Sequence, residues 1–326
     1  MSISAFLFTV IFICVSIISK KGNISLKYSY IYRNIDKMSI PKNHHYISQI
    51  HIKNFFNKDD GCIYLYDKHQ NNLFKSNGTR NIFSERNLNT RRVSKNIDYS
   101  TIESELNDKF EKDFNRHLQT IREFIDSKEF SEVVDTALMY FARYGVIAEF
   151  RTPHYKKRMD DGIFNGMKHI MEHANDDLKN DFFKAFNFDN EVKYTNTSNY
   201  EELAEHIIES MGEMNWVLTI PKSNDDYFLL GDFGAATVRD NINVYFNPDV
   251  KEIAYIGLAL SSKVYLQFFS TKWSMSPPSS MIHELDSANI YNINKANYIY
   301  SRKFLACENE NYLKTFIFQV REELTM

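Results

Sequence analysis

Cysteine is scarce in this chain: Cys14, Cys62 and Cys307 are the only three in 326 residues, and they lie far apart. So few cannot build a disulfide framework or a cysteine-ligated zinc site, and a reduced, intracellular body fits best. Glycine (10) and proline (6) are also few, whereas Asn, Lys and Ile abound. That bias points to an A+T-rich coding genome, so asparagine-rich patches, and the sequons at Asn23, Asn77 and Asn196, carry little weight. Neither sign of charge dominates. With 39 Lys and Arg against 42 Asp and Glu, the formal net charge is -3, which gives no global attraction to nucleic acid or anionic lipid, so any such site must be local. The chain has no Walker A loop, dinucleotide fingerprint, nucleophile elbow or paired Cys-x-x-Cys, which disfavours nucleotide-driven motors, dehydrogenases and typical serine hydrolases. No internal repeat is evident.

Hydrophobic residues make up 43% of the chain and charged residues 25%, which are globular values, and the length allows one large core or two ordinary ones. Ala5 to Ile18 is apolar apart from Thr9 and Ser16 and is followed by Lys20 and Lys21. The run is near the short limit for a bilayer span, lacks a preceding basic residue, and has Ile17 where a cleavage site before Ser19 would need a small residue. Two readings stay open for residues 1–37: a membrane anchor contacting lipid through residues 5–18, or an upstream extension of a frame that starts at Met38. The body is expected to be cytoplasmic, and the basic flank keeps it on that side if translation starts at Met1.

From His44 to Asp67, two apolar runs flank a turn at Asn57 to Gly61, and the pattern predicts an N-terminal hairpin. His69 to Lys95 reads as a polar loop. Its excess of Lys75, Arg80, Arg86, Arg91, Arg92 and Lys95 over Glu85 makes residues 80–95 either a local phosphate, nucleic-acid or protein contact or a solvated loop. From Ser100 the apolar residues Ile102, Leu106, Phe110, Phe114, Leu118, Ile121 and Ile125 recur at helical spacing, and a second helix starts near Ser131 and ends by Pro153. Residues 156–187 form a third helical region, expected to break near Gly162 and Gly166, and Glu201 to Met211 form another helix. Short aromatic and β-branched runs then predict strands at 215–221, 227–232, 242–246, 253–256 and 264–269. Helices close the chain, from His283 or Asp286 to Phe304 and from Asn311 to Glu323.

This order predicts an α+β fold. An N-terminal hairpin and a C-terminal, mainly antiparallel sheet would belong to one domain over 38–326, with a helical block inserted at about 100–211 and helices at the end. Tyr64, Tyr66, Trp216 and the Phe residues of 110–124 are assigned to the core. Asp67 is read as a turn acceptor or a third acidic group of the site, with the turn favoured, and Trp273 to Ser280 as an exposed loop able to cover a site.

With these residues in place a family likeness emerges. His45-Tyr46-x-x-Gln49 with Phe55-Phe56 and the run Ile63 to Lys68 resembles the opening of the family catalogued as domain of unknown function 4238, whose members begin His-Tyr-x-Pro-Gln. Arg151-Thr152-Pro153, Trp216, Asp232, Leu258 to Ser261, and Asn292 or Asn294 follow in the family's order, over about residues 41–305. Ser48 stands where the family has proline, and Gly231 and Gly234 replace the serine and proline around the aspartate. The resemblance implies a shared architecture and brings no established activity.

Candidate site residues follow from chemistry. His45 is a possible general acid or base; Asp232 would orient it or hold a divalent cation; Arg151 would stabilise an anion; Tyr46, Gln49, Arg91 and Arg92 would assist binding. The set suits phosphodiester hydrolysis. The plainer roles are a backbone hydrogen bond for His45, a turn cap for Asp232 and an ion pair for Arg151. His169-x-x-Glu172-His173 matches a zinc-protease pattern, with no evident third ligand and with a solvated helix face as the plainer reading. Two classes remain open: a hydrolase acting on a phosphodiester or other anion, and a non-catalytic ligand-binding or interaction module.

Overall fold

The computed structural model describes residues 43–93, 96–173, 175–177, 179–180, 196, 199–239, 253–274 and 276–325. The apolar segment before Met38 and the strand expected at 242–246 lie outside them. Among the described residues no helix is long and apolar enough to cross a membrane.

Strands and helices follow in the order β1 (Asn43–His45), α1 (Gln49–Lys53), β2 (Ile63–Asp67), β3 (Asn72–Ser76), β4 (Ser84–Arg86), β5 (Arg91–Val93) and β6 (Asn96–Asp98), before the helical block. That block comprises α2 (Thr101–Leu106), a π-helical turn (Asn107–Glu111), α3 (Phe114–Ser127), α4 (Glu132–Arg151), α5 (Pro153–Glu172) and α6 (Tyr200–Met211). The chain continues with β7 (Met214–Pro221), β8 (Leu230–Gly231), β9 (Ala236–Arg239), β10 (Ile253–Ser261), β11 (Val264–Ser270), β12 (Met281–Leu285), α7 (Ser287–Tyr300), β13 (Phe304–Cys307) and α8 (Glu310–Thr325). This is an α+β protein with mainly antiparallel sheets.

Two sheets organise it. One has strand order β12-β7-β11-β10-β9, antiparallel except for the parallel β12/β7 pair, and the other has order β3-β2-β13-β8. In β2 the alternation of residues sorts two cores. Ile63 and Leu65 pack with Phe228, Leu230 and Ala306, while Tyr64 and Tyr66 pack with Leu313, Phe316 and Val320 of α8 on the opposite face. A strand buried on both sides needs apolar residues at every position, with period two deciding which core each joins. Against the larger sheet lies α4, so closely that a Cβ at Gly145 would meet Ile256 Cγ2 at 2.5 Å. The apolar stripe of α2 and α3, from Ile102 through Phe110 to Phe124, is buried with it.

Several expectations are corrected. The first apolar run is not a hairpin strand: after β1, Ser48 caps α1 with its Oγ accepting from His51 N at 3.2 Å. Residues 49–53 then coil so that His51 and Ile52 both bury. The N-terminal hairpin is instead β2 with β3, turning through 68–71, because Asp67 Oδ1 accepts the N–H groups of His69 and Gln70. The stretch 69–95 therefore contributes strands β3, β4 and β5 and is not one loop. Of the two starts expected for the next helix, His283 lies in β12, which pairs with β7, and Asp286 is the one that caps α7, accepting from Asn289 N at 2.9 Å. Gly162 and Gly166 do not interrupt α5. Thr152 caps it and Pro153 opens its first turn, where a missing N–H costs nothing.

Candidate functional site

A cavity of about 580 Å³ opens where several segments of the chain meet. Tyr46, just after β1, and Glu85 of β4 form one wall; the α4–α5 junction brings Glu149, Thr152, Pro153, His154, Tyr155 and Arg158; the turn after β8 brings Asp232 and Phe233; and the link from α7 to β13 brings Tyr300, Arg302 and Lys303.

The polar groups here divide into spent and unspent. Asp232 is spent on architecture. Its Oδ1 accepts from Arg302 N at 2.9 Å, and its Oδ2 accepts from Lys303 N at 2.5 Å and Phe304 N at 3.0 Å, so it fixes the backbone that presents Arg302 and Lys303. Burial raises its pKa, against those hydrogen bonds and the nearby Lys68. Glu149 accepts the Thr237 hydroxyl. Tyr46 is only 7% exposed, yet among the described residues its hydroxyl has no hydrogen-bond partner. Its pKa is raised by burial first and then by the charges of Asp232 and Glu85, so it stays a neutral donor.

Part of the lining is cationic. Arg302 Nη2 donates to His154 Nε2 at 3.1 Å. Because arginine cannot accept, this bond places the imidazole proton on Nδ1. The His154 pKa is lowered by partial desolvation and then by Arg302, Arg158 and Lys157, which keeps the ring neutral at neutral pH. The Arg158 guanidinium lies 5.4 Å from the Tyr155 ring centroid and Lys303 Nζ 4.6 Å from that of Phe304. Arg158, Arg302 and Lys303 are all exposed.

Of the site residues expected from sequence, Tyr46 and Asp232 come together in this cavity, whereas His45, Gln49 and Arg151 stand behind its wall. His45 Nε2 bonds the Thr79 carbonyl at 2.8 Å, and Gln49 Oε1 accepts the Thr79 hydroxyl at 2.6 Å, so the two grip one loop residue. Arg151 is buried, pairs with Glu111, and donates at 3.1 Å to the His45 carbonyl. Arg91 pairs with Asp98 at 2.9 Å across the β5/β6 hairpin, and the Arg92 side chain is outside the described residues. His169 is exposed and bonded to Glu172 at 3.1 Å, with the His173 ring 6.1 Å away. Among the described residues no group of three or more His, Cys, Asp or Glu is placed to hold a metal ion.

His154, Arg158, Arg302 and Lys303 escaped the sequence reading. A partial signal existed for the first two, since Thr152-Pro153 marks a helix start and positions 154 and 158 share one helical face. Nothing local flags Arg302 and Lys303, which reach the site only through β13.

An α+β body with an open cavity, lined by apolar and charged residues from its N-terminal, central and C-terminal segments, is the class of protein defined by this geometry. The chain belongs to the family described as protein of unknown function (DUF4238), whose model matches residues 43–310. Neither the curated proteins nor the solved structures contain a match.

Proposed function

We propose that the cavity binds a small organic anion carrying a phosphate group. The observation that supports this is convergence. The His-Tyr, Arg-Thr-Pro and Asp232 elements each bring a residue to one 580 Å³ cavity, a volume in the range of small-molecule sites. There Arg158, Arg302 and Lys303 offer charge that no carboxylate in the cavity neutralises through an ion pair within 4.0 Å among the described residues. Arginine forks match phosphate oxygens in a bidentate manner, and the neutral His154 adds no competing demand. The first turn of α5 faces the same space and adds a modest favourable potential. In this reading His45, Gln49 and Arg151 are positioning residues that hold the wall carrying Tyr46. Calorimetric titration with inorganic phosphate at low ionic strength tests it: saturable binding that Arg158→Gln with Arg302→Gln abolishes is expected. A protein that binds no phosphate, or a double variant that binds it equally well, contradicts the reading.

A second reading, phosphodiester hydrolysis in the same cavity, is favoured by His154. When Arg302 turns to a bound phosphate, His154 Nε2 is left with a free lone pair. The ring takes a proton from water as the water oxygen bonds to phosphorus and the bond from phosphorus to the leaving oxygen breaks. Bis(p-nitrophenyl) phosphate is a suitable probe, because p-nitrophenolate departs without needing a proton. Turnover lost in His154→Gln with phosphate binding retained supports hydrolysis, and absence of turnover with binding intact leaves the protein a ligand-binding module.

A further inference from the structure

We infer that the ligand is a nucleoside monophosphate, an assignment that rests on the phosphate reading above and adds two further subsites. The first is the wall of Tyr46 and Glu85. Tyr46 is 93% buried, as its 7% exposure shows, and its hydroxyl, facing the cavity, is without a hydrogen-bond partner among the described residues. A hydroxyl without a protein partner, on a ring held in place by burial, is free to bond a ligand group. Beside it, the exposed Glu85 carboxylate accepts but cannot donate. A donor next to an acceptor-only group suits vicinal hydroxyls, each of which both gives and takes a hydrogen bond, as on a ribose ring.

The second subsite is aromatic. Tyr300, the last residue of α7, is 55% exposed at the cavity rim. Its ring lies 6.2 Å from that of Phe233, inclined at 69°, so the pair forms a corner against which a flat ring can stack. An exposed tyrosine at a cavity mouth contributes little to the fold, and base stacking on such a side chain is strong and tolerant of base identity. Phosphate alone would occupy a small part of the 580 Å³; a nucleotide uses the cationic part of the lining, the Tyr46 wall and the aromatic corner together.

The test is a titration series of the full chain with inorganic phosphate, ribose 5-phosphate and adenosine 5′-monophosphate. Affinity is expected to rise at each step, by about tenfold on adding the base. Tyr300→Ala should remove the gain from the base alone, leaving phosphate binding unchanged, and Tyr46→Phe should remove the gain from ribose. If Tyr46→Phe fails to fold, the exposed Glu85→Gln serves the ribose arm. Equal affinity for all three probes, or a series that Tyr300→Ala leaves unaltered, overturns the nucleotide assignment while the phosphate reading stands. No binding of any probe overturns both.

Discussion

The guanidinium of Arg151, at the end of α4, donates a 3.1 Å hydrogen bond to the main-chain carbonyl of His45, more than a hundred residues earlier. Through it the helical block holds the segment that carries Tyr46, and the same guanidinium pairs with Glu111 in the π-helical turn. Two residues assigned chemistry from sequence thus meet through a backbone atom and build a wall of the cavity from behind.

Arg151→Met should therefore be destabilising by about 3–5 kcal/mol, because it strips a buried ion pair of one partner and leaves a buried carbonyl without its donor. Urea denaturation checks this. A change below about 1 kcal/mol would show that the buried contacts around Glu111 and His45 do not depend on Arg151.

His51 predicts an acid sensitivity. Fully buried between Tyr144 Oη, 3.1 Å from its Nδ1, and the Ala259 carbonyl, 2.6 Å from its Nε2, its pKa is lowered to about 4, chiefly by burial. The unfolded chain binds the proton more readily, so the contribution is complete above the ordinary imidazole pKa of about 6.5 and is lost as pH falls toward 4. At about 1.4 kcal/mol per pKa unit the loss approaches 3 kcal/mol. Denaturation at pH 7 and pH 4.5 should show His51→Gln losing less stability with acid than the parent; equal slopes would contradict the assignment.

Tyr46→Phe is expected to fold with stability within about 0.5 kcal/mol of the parent, since the hydroxyl it removes has no hydrogen-bond partner among the described residues. Tyr46→Ala removes a ring that packs edge-on against Phe83 at 6.2 Å, and should cost about 3–5 kcal/mol. Thermal unfolding distinguishes the two, and a large loss in the Phe variant would reveal a structural role for the hydroxyl.

Gly231→Ser restores the residue usual in the family, and here it should be harmful. A Cβ at 231 would lie 2.3 Å from Phe233 Cε1 and 2.6 Å from Ser301 Oγ, so about 1–3 kcal/mol of overpacking strain is expected. Adding Phe233→Leu should recover part of it. Stability unchanged in the single variant would show that the ring moves aside freely.

Much of the fold was legible because long helices advertise themselves through spacing and caps: Ser131 marks the start of α4 and Thr152-Pro153 its end. Short elements did not. The alternation around His51 mimics a strand because both its buried and its half-buried sides meet protein, and five residues are too few for a helical period to show. The departures from the family pattern also have physical content that only coordinates reveal. Ser48 supplies a cap to α1 and lies 3.2 Å from Tyr144 Oη, while Gly234 sits at φ 72, where proline cannot go. The candidate site was half legible. Tyr46 and Asp232 were singled out from sequence, but Asp232 acts by accepting three N–H groups that order Arg302 and Lys303, and pairings of that kind depend on sheet topology.

The most direct test of the central claim is a crystal structure of the protein soaked with tungstate, a heavy phosphate mimic whose tungsten is located by anomalous scattering. A tungsten peak is expected in the cavity with its oxygens within hydrogen-bonding distance of Arg158, Arg302 or Lys303, and His154 released from Arg302. Tungstate bound elsewhere on the molecule with the cavity empty would contradict it.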